Sequence, residues 1–219
     1  MFLNSISCND IVTKKTRPTV QPLHIVLLVV FFLVMIWSLI DNAGYGIWVL
    51  EAGPALIGLV VLVLTYKRFR LSDFLYVLIL IHMIVLLVGA HYTYAEMPLF
   101  DWLKEVFGWS RNNYDKVGHF LQGFTPALVA RELFIRRKTV PSSGWRNFFI
   151  VCICLAISAV YELIEWWVAL LTGSVGDAFL GTQGYIWDTQ SDMLLALVGA
   201  VVALILFSRV QDASMRKLA

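Results

Sequence analysis

The amino-acid sequence predicts an all-α membrane protein: a polytopic bundle of six transmembrane helices with a short periplasmic interfacial segment between helices three and four. The first observation behind this prediction is composition, since 59% of the 219 residues are hydrophobic and only 15% are charged. The mean hydropathy is +0.77. A soluble globule of this length needs more polar residues to cover its surface. The lipid bilayer is therefore the expected surroundings of the chain.

The second observation is a series of six apolar runs, each near the roughly 20 residues that cross a hydrocarbon core as a helix. Links containing Gly, Pro, Ser and charged residues separate the runs. The runs cover residues 23–40, 47–66, 74–91, 117–134, 148–171 and 189–207. They divide the chain into an N-terminal tail (1–22), a transmembrane domain (23–207) and a C-terminal tail (208–219).

The third observation is the distribution of Lys and Arg. Of the 17, 14 fall on one side: 13 lie in the tails and in alternate links, and Arg131 lies near the adjoining end of the fourth run. The other three are Lys104, Arg111 and Lys116. Cytoplasmic loops carry the excess of basic residues, so both termini are predicted to be cytoplasmic in a multi-pass protein of the bacterial inner membrane. The basic residues form no single patch, and no nucleic-acid partner is predicted. The first run is expected to be a retained anchor, because its apolar core is too long for a signal peptide.

The link between the third and fourth runs, YTYAEMPLFDWLKEVFGWSRNNYD, is predicted to be an interfacial segment. Its apolar and aromatic residues alternate with charges in a pattern that suits neither water nor lipid alone. These residues are Met97, Phe100, Trp102, Val106 and Trp109. We expect the segment to lie along the periplasmic surface of the membrane.

Polar residues inside the apolar runs are concentrated in the C-terminal half, whereas the first two runs are nearly free of ionisable groups. In each of the last three runs the polar residues share one helix face, because they recur one or two turns apart. The three stripes are Asp115, His119 and Gln122; Ser158, Glu162 and Glu165; and Asp188, Ser191 and Asp192. Such residues are costly in a membrane and usually functional.

The three stripes are expected to meet in one polar site that is open to the periplasm. At a rise of about 1.5 Å per residue, His119, Glu165 and Asp192 lie at similar depths below the predicted periplasmic ends of their helices. A charge that faces lipid would cost roughly 2.5–3.5 kcal/mol on insertion scales. Packing the stripes against one another avoids that cost.

Two interpretations of this site stay open. In the first, it is a structural network in which Lys116 or His119 neutralises a glutamate and Asp115 favours the beginning of its helix. In the second, the carboxylates exceed the nearby cations, so some are protonated or a cation supplies the missing charge. The catalytic candidates are Asp115, His119, Glu162, Glu165, Asp188 and Asp192, and the possible ligands of Mg, Mn or Zn are His119, Glu162, Glu165 and Asp192.

The two histidines of the third run, His82 and His91, point to opposite sides of a helix, because they are nine residues apart. Both cannot face one site. His82 is expected to be a packed, neutral residue in the middle of the membrane, with a proton relay as the alternative.

Three stretches of the sequence resemble the YjdF-type family of uncharacterised bacterial inner-membrane proteins. They are HYTYAEMPLFDWLKEVFGWSRNNYDKVGHFLQGF, YELIEWW and GYIWDTQSDMLLALVGA. The resemblance covers essentially the whole chain. It implies an inner-membrane location and no particular reaction.

The last three runs are also similar to the VanZ-like membrane proteins, which are associated with glycopeptide resistance. Asp115, Lys116 and His119 match the first motif of that family, with one more residue between Lys and His. Glu162 matches the second motif, with Glu165 in place of a Gln. Asp192 and Gly199 match the third, with Ala196 in place of an Asn.

Several classes of function are compatible with these observations. The chain lacks the motifs of common lipid phosphatases and the G-x-S-x-G of intramembrane serine proteases. We expect a site that binds or processes an envelope lipid or lipid-linked precursor, with a divalent cation as a possible cofactor. A small ion- or proton-coupled transporter and a structural or partner-binding protein are the alternatives. The sequence leaves the substrate and the oligomeric state open.

Overall fold

A computed structural model describes residues 20–173, 176 and 179–218, and all regular secondary structure in these residues is helical. The predicted N-terminal tail lies almost entirely outside the described residues. The helices are α1 (Pro22–Leu39), α2 (Tyr45–Thr65), α3 (Asp73–Tyr92), α4 (Pro98–Phe107), α5 (Tyr114–Arg137), α6 (Ser143–Thr172), α7 (Asp188–Val202) and α8 (Ser208–Met215). A π-helical turn, Ala203–Phe207, joins α7 to α8, and short 3₁₀ turns cover Tyr94–Glu96 and Arg216–Leu218.

Five of the described helices are long and apolar enough to cross a membrane. They are α1, α2, α3, α6 and the continuous helical stretch Asp188–Leu218 that contains α7 and α8. The all-α membrane class is therefore confirmed. The 24 residues of α5 are long enough to span, but the helix is not apolar enough to belong to this group. A sixth spanning helix thus stays a prediction. The segment predicted to be interfacial contains the short helix α4, with Trp102 and Val106 both 57% exposed. Its position at the periplasmic surface stays a prediction.

Helix α5 is the centre of the bundle, because it packs against α3, α6 and α7, whereas α1 and α2 pack on α3. The backbones of α5 and α7 are in direct contact at two glycines. A Cβ atom added to Gly123 would lie 1.8 Å from the carbonyl oxygen of Ala196, and one added to Gly199 would lie 2.0 Å from that of Phe120. Small residues allow this close approach of membrane helices. It brings the polar faces of α5 and α7 together.

A second polar network ties α5 to α3 and α8 at the other end of the bundle. The fully buried carboxylate of Glu132 accepts from the Ser72 backbone N–H at 2.8 Å, from its hydroxyl at 2.6 Å and from Arg136 at 2.7 Å. Arg131 donates to Gln211 at 3.0 Å and to Asp212 at 2.7 Å. Residues 208–218 of the segment predicted as a C-terminal tail are thus helical, and Gln211 and Asp212 contact α5. Every acid in this network has a cation or hydrogen-bond donor, which is the pattern of a structural network.

Candidate functional site

A buried ion-pair network joins the beginnings of α5 and α7. The ammonium group of Lys116 lies 2.6 Å from Oδ1 of Asp188 and 2.7 Å from Oδ1 of Asp192, and it donates to the Ser191 hydroxyl at 2.8 Å. The guanidinium of Arg111 also binds Asp188. The two aspartates are 6% and 2% exposed. Lys116 therefore neutralises aspartates of α7 and not a glutamate.

Hydrogen bonds join the links that precede α5 and α7, next to this network. The side-chain amide of Gln183 exchanges two hydrogen bonds with the backbone of Asn112, each 2.9 Å long. Arg111 donates to the carbonyl oxygen of Gly181 at 3.2 Å. Sequence reasoning assigned Arg111 to the interfacial segment and missed it as part of the site. No local pattern distinguishes it, because its role comes from contacts about 70 residues away in the chain.

The imidazole of His119 lies between two groups of carboxylates. Its Nε2 atom is 3.1 Å from Oδ1 of Asp115 and 3.9 Å from Oδ2 of Asp192, whereas Nδ1 is 3.2 Å from Oε1 of Gln122 and 3.7 Å from Oε1 of Glu162. Asp115 and His119 share a helix face at i and i+4, so Asp115 can accept the Nε2–H and fix the ring. In that tautomer Nδ1 faces two acceptor oxygens, one of Gln122 and one of Glu162, and a proton or a cation at Nδ1 would satisfy them.

The two glutamates of α6 complete this cluster. A ring nitrogen of His119 and one oxygen each of Glu162 and Glu165 all lie within 4.8 Å of one another. Both glutamates are 7% exposed. Oε1 of Glu162 is buried without a hydrogen-bond partner among the described residues, and so is the hydroxyl of Ser158. Because buried polar atoms are normally paired, these acceptors could bind a cation or a hydrogen-bond donor.

A cavity of about 210 Å³ lies beside His119 and Glu165, between α2, α3, α5 and α6. Glu51 of α2 lines the same cavity and is 2% exposed. The sequence analysis missed this acid, because it treated α2 as nearly free of ionisable groups. The available signal was a single carboxylate inside an apolar run, which is costly in a membrane.

Tyr94 follows α3 and forms part of the cavity wall. Its ring occupies the space left by two glycines, since a Cβ atom would lie 2.4 Å from the ring at Gly89 and 3.1 Å at Gly118. Burial raises the pKa of Tyr94 well above its ordinary value. The phenol therefore faces the cavity as a neutral group.

The two histidines of α3 lie in different surroundings. His82 is half-buried and lines the cavity. His91 packs against Trp37, with a distance of 4.3 Å between ring centroids, and its Nδ1 atom is 3.4 Å from the Ser38 carbonyl oxygen. His91 is therefore part of the α1–α3 packing.

Residues 23–213, which contain all of the predicted site residues, match the family model described as "Predicted membrane protein (DUF2238)". The chain belongs to this family. Inner membrane protein YjdF of Escherichia coli (strain K12) is 46% identical over 185 residues, which are 84% of this chain and 88% of that protein. The YjdF-type resemblance and the multi-pass inner-membrane location are thus confirmed. No solved structure matches the chain significantly.

The DUF2238 description gives a location and no reaction, so the roles of the site residues must be argued from geometry. The four predicted metal ligands and the other two catalytic candidates lie in one connected cluster. The VanZ-like resemblance stays a prediction. The cluster contains its motif residues Asp115, Lys116, His119, Glu162, Glu165 and Asp192. Ala196 and Gly199, from the third motif, instead pack against α5.

Proposed function

We propose that this chain is a six-span inner-membrane protein that binds or processes an envelope lipid or lipid-linked precursor at a divalent-cation site. The proposed ligands are His119, Glu162 and Glu165. The observation that carries the proposal is the approach of their three buried ligand atoms to within 4.8 Å of one another, beside a cavity. An imidazole and two carboxylates are suited to Mg, Mn or Zn.

The distribution of charge favours this group of ligands over the Asp115–His119–Asp192 group, whose atoms also converge. Asp192 already has Lys116 at 2.7 Å, and Asp115 has Arg111 at 3.5 Å and Lys116 at 3.7 Å. Among the described residues, neither Glu162 nor Glu165 forms an ion pair with Lys or Arg. A divalent cation would therefore supply charge where the protein has least of its own.

The surroundings of the proposed cation support the same assignment. Metal-bound histidines usually donate their second ring N–H to a carboxylate, which fixes the tautomer. Asp115 is 3.1 Å from Nε2 of His119 and can take that role. Nδ1 is then directed to the side of Glu162.

A lipid is the favoured ligand because of the position of the cavity. Helix α2 packs on α3, and among the described residues it does not pack closely on α5 or α6. The cavity lies where these helices face one another, with Glu51 and Pro54 on the α2 side and Ile157 and Tyr161 on the α6 side. An amphiphile in the bilayer could enter through the gap and place its polar end beside His119.

Adding a divalent cation to metal-stripped protein should raise its thermal stability. A ligand at 100 times its Kd stabilises the folded state by about 2.7 kcal/mol, which is roughly 5–10 °C for a chain of this size. Melting in detergent with Mg, Mn, Zn and Ca in turn measures the shift. Glu165→Gln should remove most of it, because the variant loses a charged ligand while keeping its shape.

Glu105→Gln is the matched control for that experiment, because it makes the same substitution at an exposed position of α4. It should keep the full response to the cation. Without added metal, Glu165→Gln should be as stable as the wild type or more so, since like-charge repulsion is relieved. The cation site would be excluded if the wild-type melting curve were the same without metal and with each of the four ions.

Proton-coupled transport is the second candidate function, and one observation favours it. His82, near the middle of α3, lines the same cavity as Glu51 and Glu165, so titratable groups continue inward from the cluster. The fully buried Leu128 and Ile150 lie in the other half of the bundle. Transport would therefore require a second conformation that opens this half.

Both termini are proposed to be cytoplasmic, with α5 as the sixth span. Reporter fusions after Ala219 and within residues 94–111 test this orientation. We expect a cytoplasmic signal from the first fusion and a periplasmic signal from the second, because the excess of Lys and Arg marks the cytoplasmic side. A periplasmic signal after Ala219 would contradict the six-span arrangement.

A further inference from the structure

Glu51 is a buried acid of α2, and only one of its carboxylate oxygens has a hydrogen-bond partner. Oε1 accepts from the Thr93 hydroxyl at 3.0 Å and from the Tyr94 backbone N–H at 3.4 Å. Oε2 is buried and has no partner among the described residues. The side chain lines the same cavity as His119 and Glu165. The carboxylate therefore has one buried oxygen without a partner, in a side chain that lines a space large enough for part of a ligand.

The donor that orients Glu51 is held in an unusual backbone conformation. Thr93 has a φ of 59°, in the left-handed region that β-branched residues rarely adopt. Strained conformations of this kind persist where the surrounding structure holds them, and they are concentrated at functional sites. Here the conformation turns the chain directly after α3 and places the Thr93 hydroxyl on the carboxylate of Glu51.

The charge of the cavity wall is complementary to a cationic ligand group. Its described lining residues include the acids Glu51, Asp115 and Glu165 and no Lys or Arg. Asp115 already pairs with Arg111 and Lys116. Glu165 is a ligand of the proposed divalent cation, so Glu51 is the acid of the wall that is left for a cationic ligand group. Apolar side chains such as Leu86 and Ile157 form much of the remaining wall. A volume of about 210 Å³ is below that of pockets for drug-sized molecules, so it suits a headgroup and not two acyl chains.

We infer that Glu51 binds the primary ammonium group of an amphiphile, of the phosphoethanolamine-lipid class, whose headgroup occupies this cavity. An ammonium group donates to Oε2 of Glu51 and supplies the positive partner that this carboxylate lacks among the described residues. The inference rests on the proposed function, in which the cation at His119, Glu162 and Glu165 holds the phosphate of the same headgroup. The ammonium end and the phosphate end are then recognised by different residues.

The test is competition between two lipids for the purified full chain, read by native mass spectrometry. Phosphatidylethanolamine and phosphatidylcholine with identical acyl chains are added together. Phosphatidylcholine carries a trimethylammonium group, which has no N–H donor. Wild type should retain phosphatidylethanolamine in about tenfold preference, as expected for a charge-assisted hydrogen bond. Glu51→Gln should lower that preference to about twofold or less, whereas Glu96→Gln, an exposed acid nearby, should leave it unchanged.

Equal retention of the two lipids by the wild type, or an unchanged preference in Glu51→Gln, overturns the inference. Glu51→Asp keeps the charge and withdraws it by one methylene group, so it should also lower the preference. This variant decides the result if Glu51→Gln does not fold. Each competition is run on metal-stripped protein and again with Mn²⁺. Both lipids carry the phosphate, so a bound cation should raise the total lipid retained and leave the preference between the two unchanged. A Glu51-dependent preference without any Mn²⁺-dependent rise in total retention supports the ammonium site and contradicts the cation site. A rise in total retention without a Glu51-dependent preference overturns the ammonium site alone.

Discussion

Replacing Lys116 with methionine should lower the free energy of unfolding by about 3–5 kcal/mol, the usual result of removing one partner from a buried ion pair. Lys116 is 17% exposed and lies 2.6 Å from Asp188 and 2.7 Å from Asp192. Asp188 keeps Arg111 as a partner in the variant. Asp192 keeps only the imidazole of His119, at 3.9 Å. A nearly unpaired carboxylate inside the bundle is the reason for the large expected loss.

The exposed pair of Lys104 with Asp101 is the control for this prediction. These side chains are 36% and 40% exposed and 3.4 Å apart, so Lys104→Met should change stability by about 0–1 kcal/mol. Adding Asp192→Asn to Lys116→Met removes the uncompensated charge and should recover at least half of the loss. Denaturant or thermal unfolding in one detergent measures all the variants. A loss for Lys116→Met no larger than that for Lys104→Met would contradict a structural role for this network.

The helices were predictable because hydrophobic runs report directly on membrane-spanning segments. The runs at 23–40, 47–66 and 74–91 lie within two residues, at each end, of α1, α2 and α3. The run at 148–171 is shorter than α6, which begins at Ser143. The first turn of this helix contains polar residues and lies before the apolar stretch. Hydropathy does not show where such a turn begins.

The convergence of the acids was also accessible from sequence, because a spacing of three or four residues fixes the helix face and the rise per residue fixes the depth. These two rules place His119, Glu165 and Asp192 level with one another. They do not say which cation neutralises which acid. That pairing depends on the contact of α5 with α7, which places Lys116 beside the two aspartates. Glu162 and Glu165 have no Lys or Arg partner among the residues that the structure describes.

Glu51 and Arg111 could not be assigned by the same reasoning, because each reaches the site through tertiary structure alone. Glu51 has no polar neighbour one turn away on α2, and its partner Thr93 is 42 residues distant. Arg111 precedes α5 and counts as one of the basic residues of a loop. An argument from helix stripes detects residues that repeat along one helix. It misses a single residue that reaches the site from another helix or link.

The contact between α5 and α7 also gives Gly199 a role that its place in a motif does not suggest. A Cβ atom at this position would lie 2.0 Å from the carbonyl oxygen of Phe120. Backbone atoms cannot move aside as a flexible side chain can, so Gly199→Ala must push the two helices apart. Overpacking of this kind costs typically about 1–3 kcal/mol. We expect the upper end of that range, because separation also stretches the bonds of Lys116 to Asp188 and Asp192.

Gly53→Ala provides a control for which we expect the opposite change in stability. This glycine lies within α2, and a Cβ atom there would meet nothing within 4 Å. Alanine is favoured over glycine in a helix by about 0.8–1.0 kcal/mol, so Gly53→Ala should leave stability unchanged or increase it. Gly199→Ala should destabilise and also weaken the response to divalent cations. Helix α6 packs on both α5 and α7, so a shift of α5 away from α7 also moves His119 relative to Glu162 and Glu165. Equal stability of the two variants would contradict the close contact of α5 with α7 and, with it, the geometry of the cluster built on that contact.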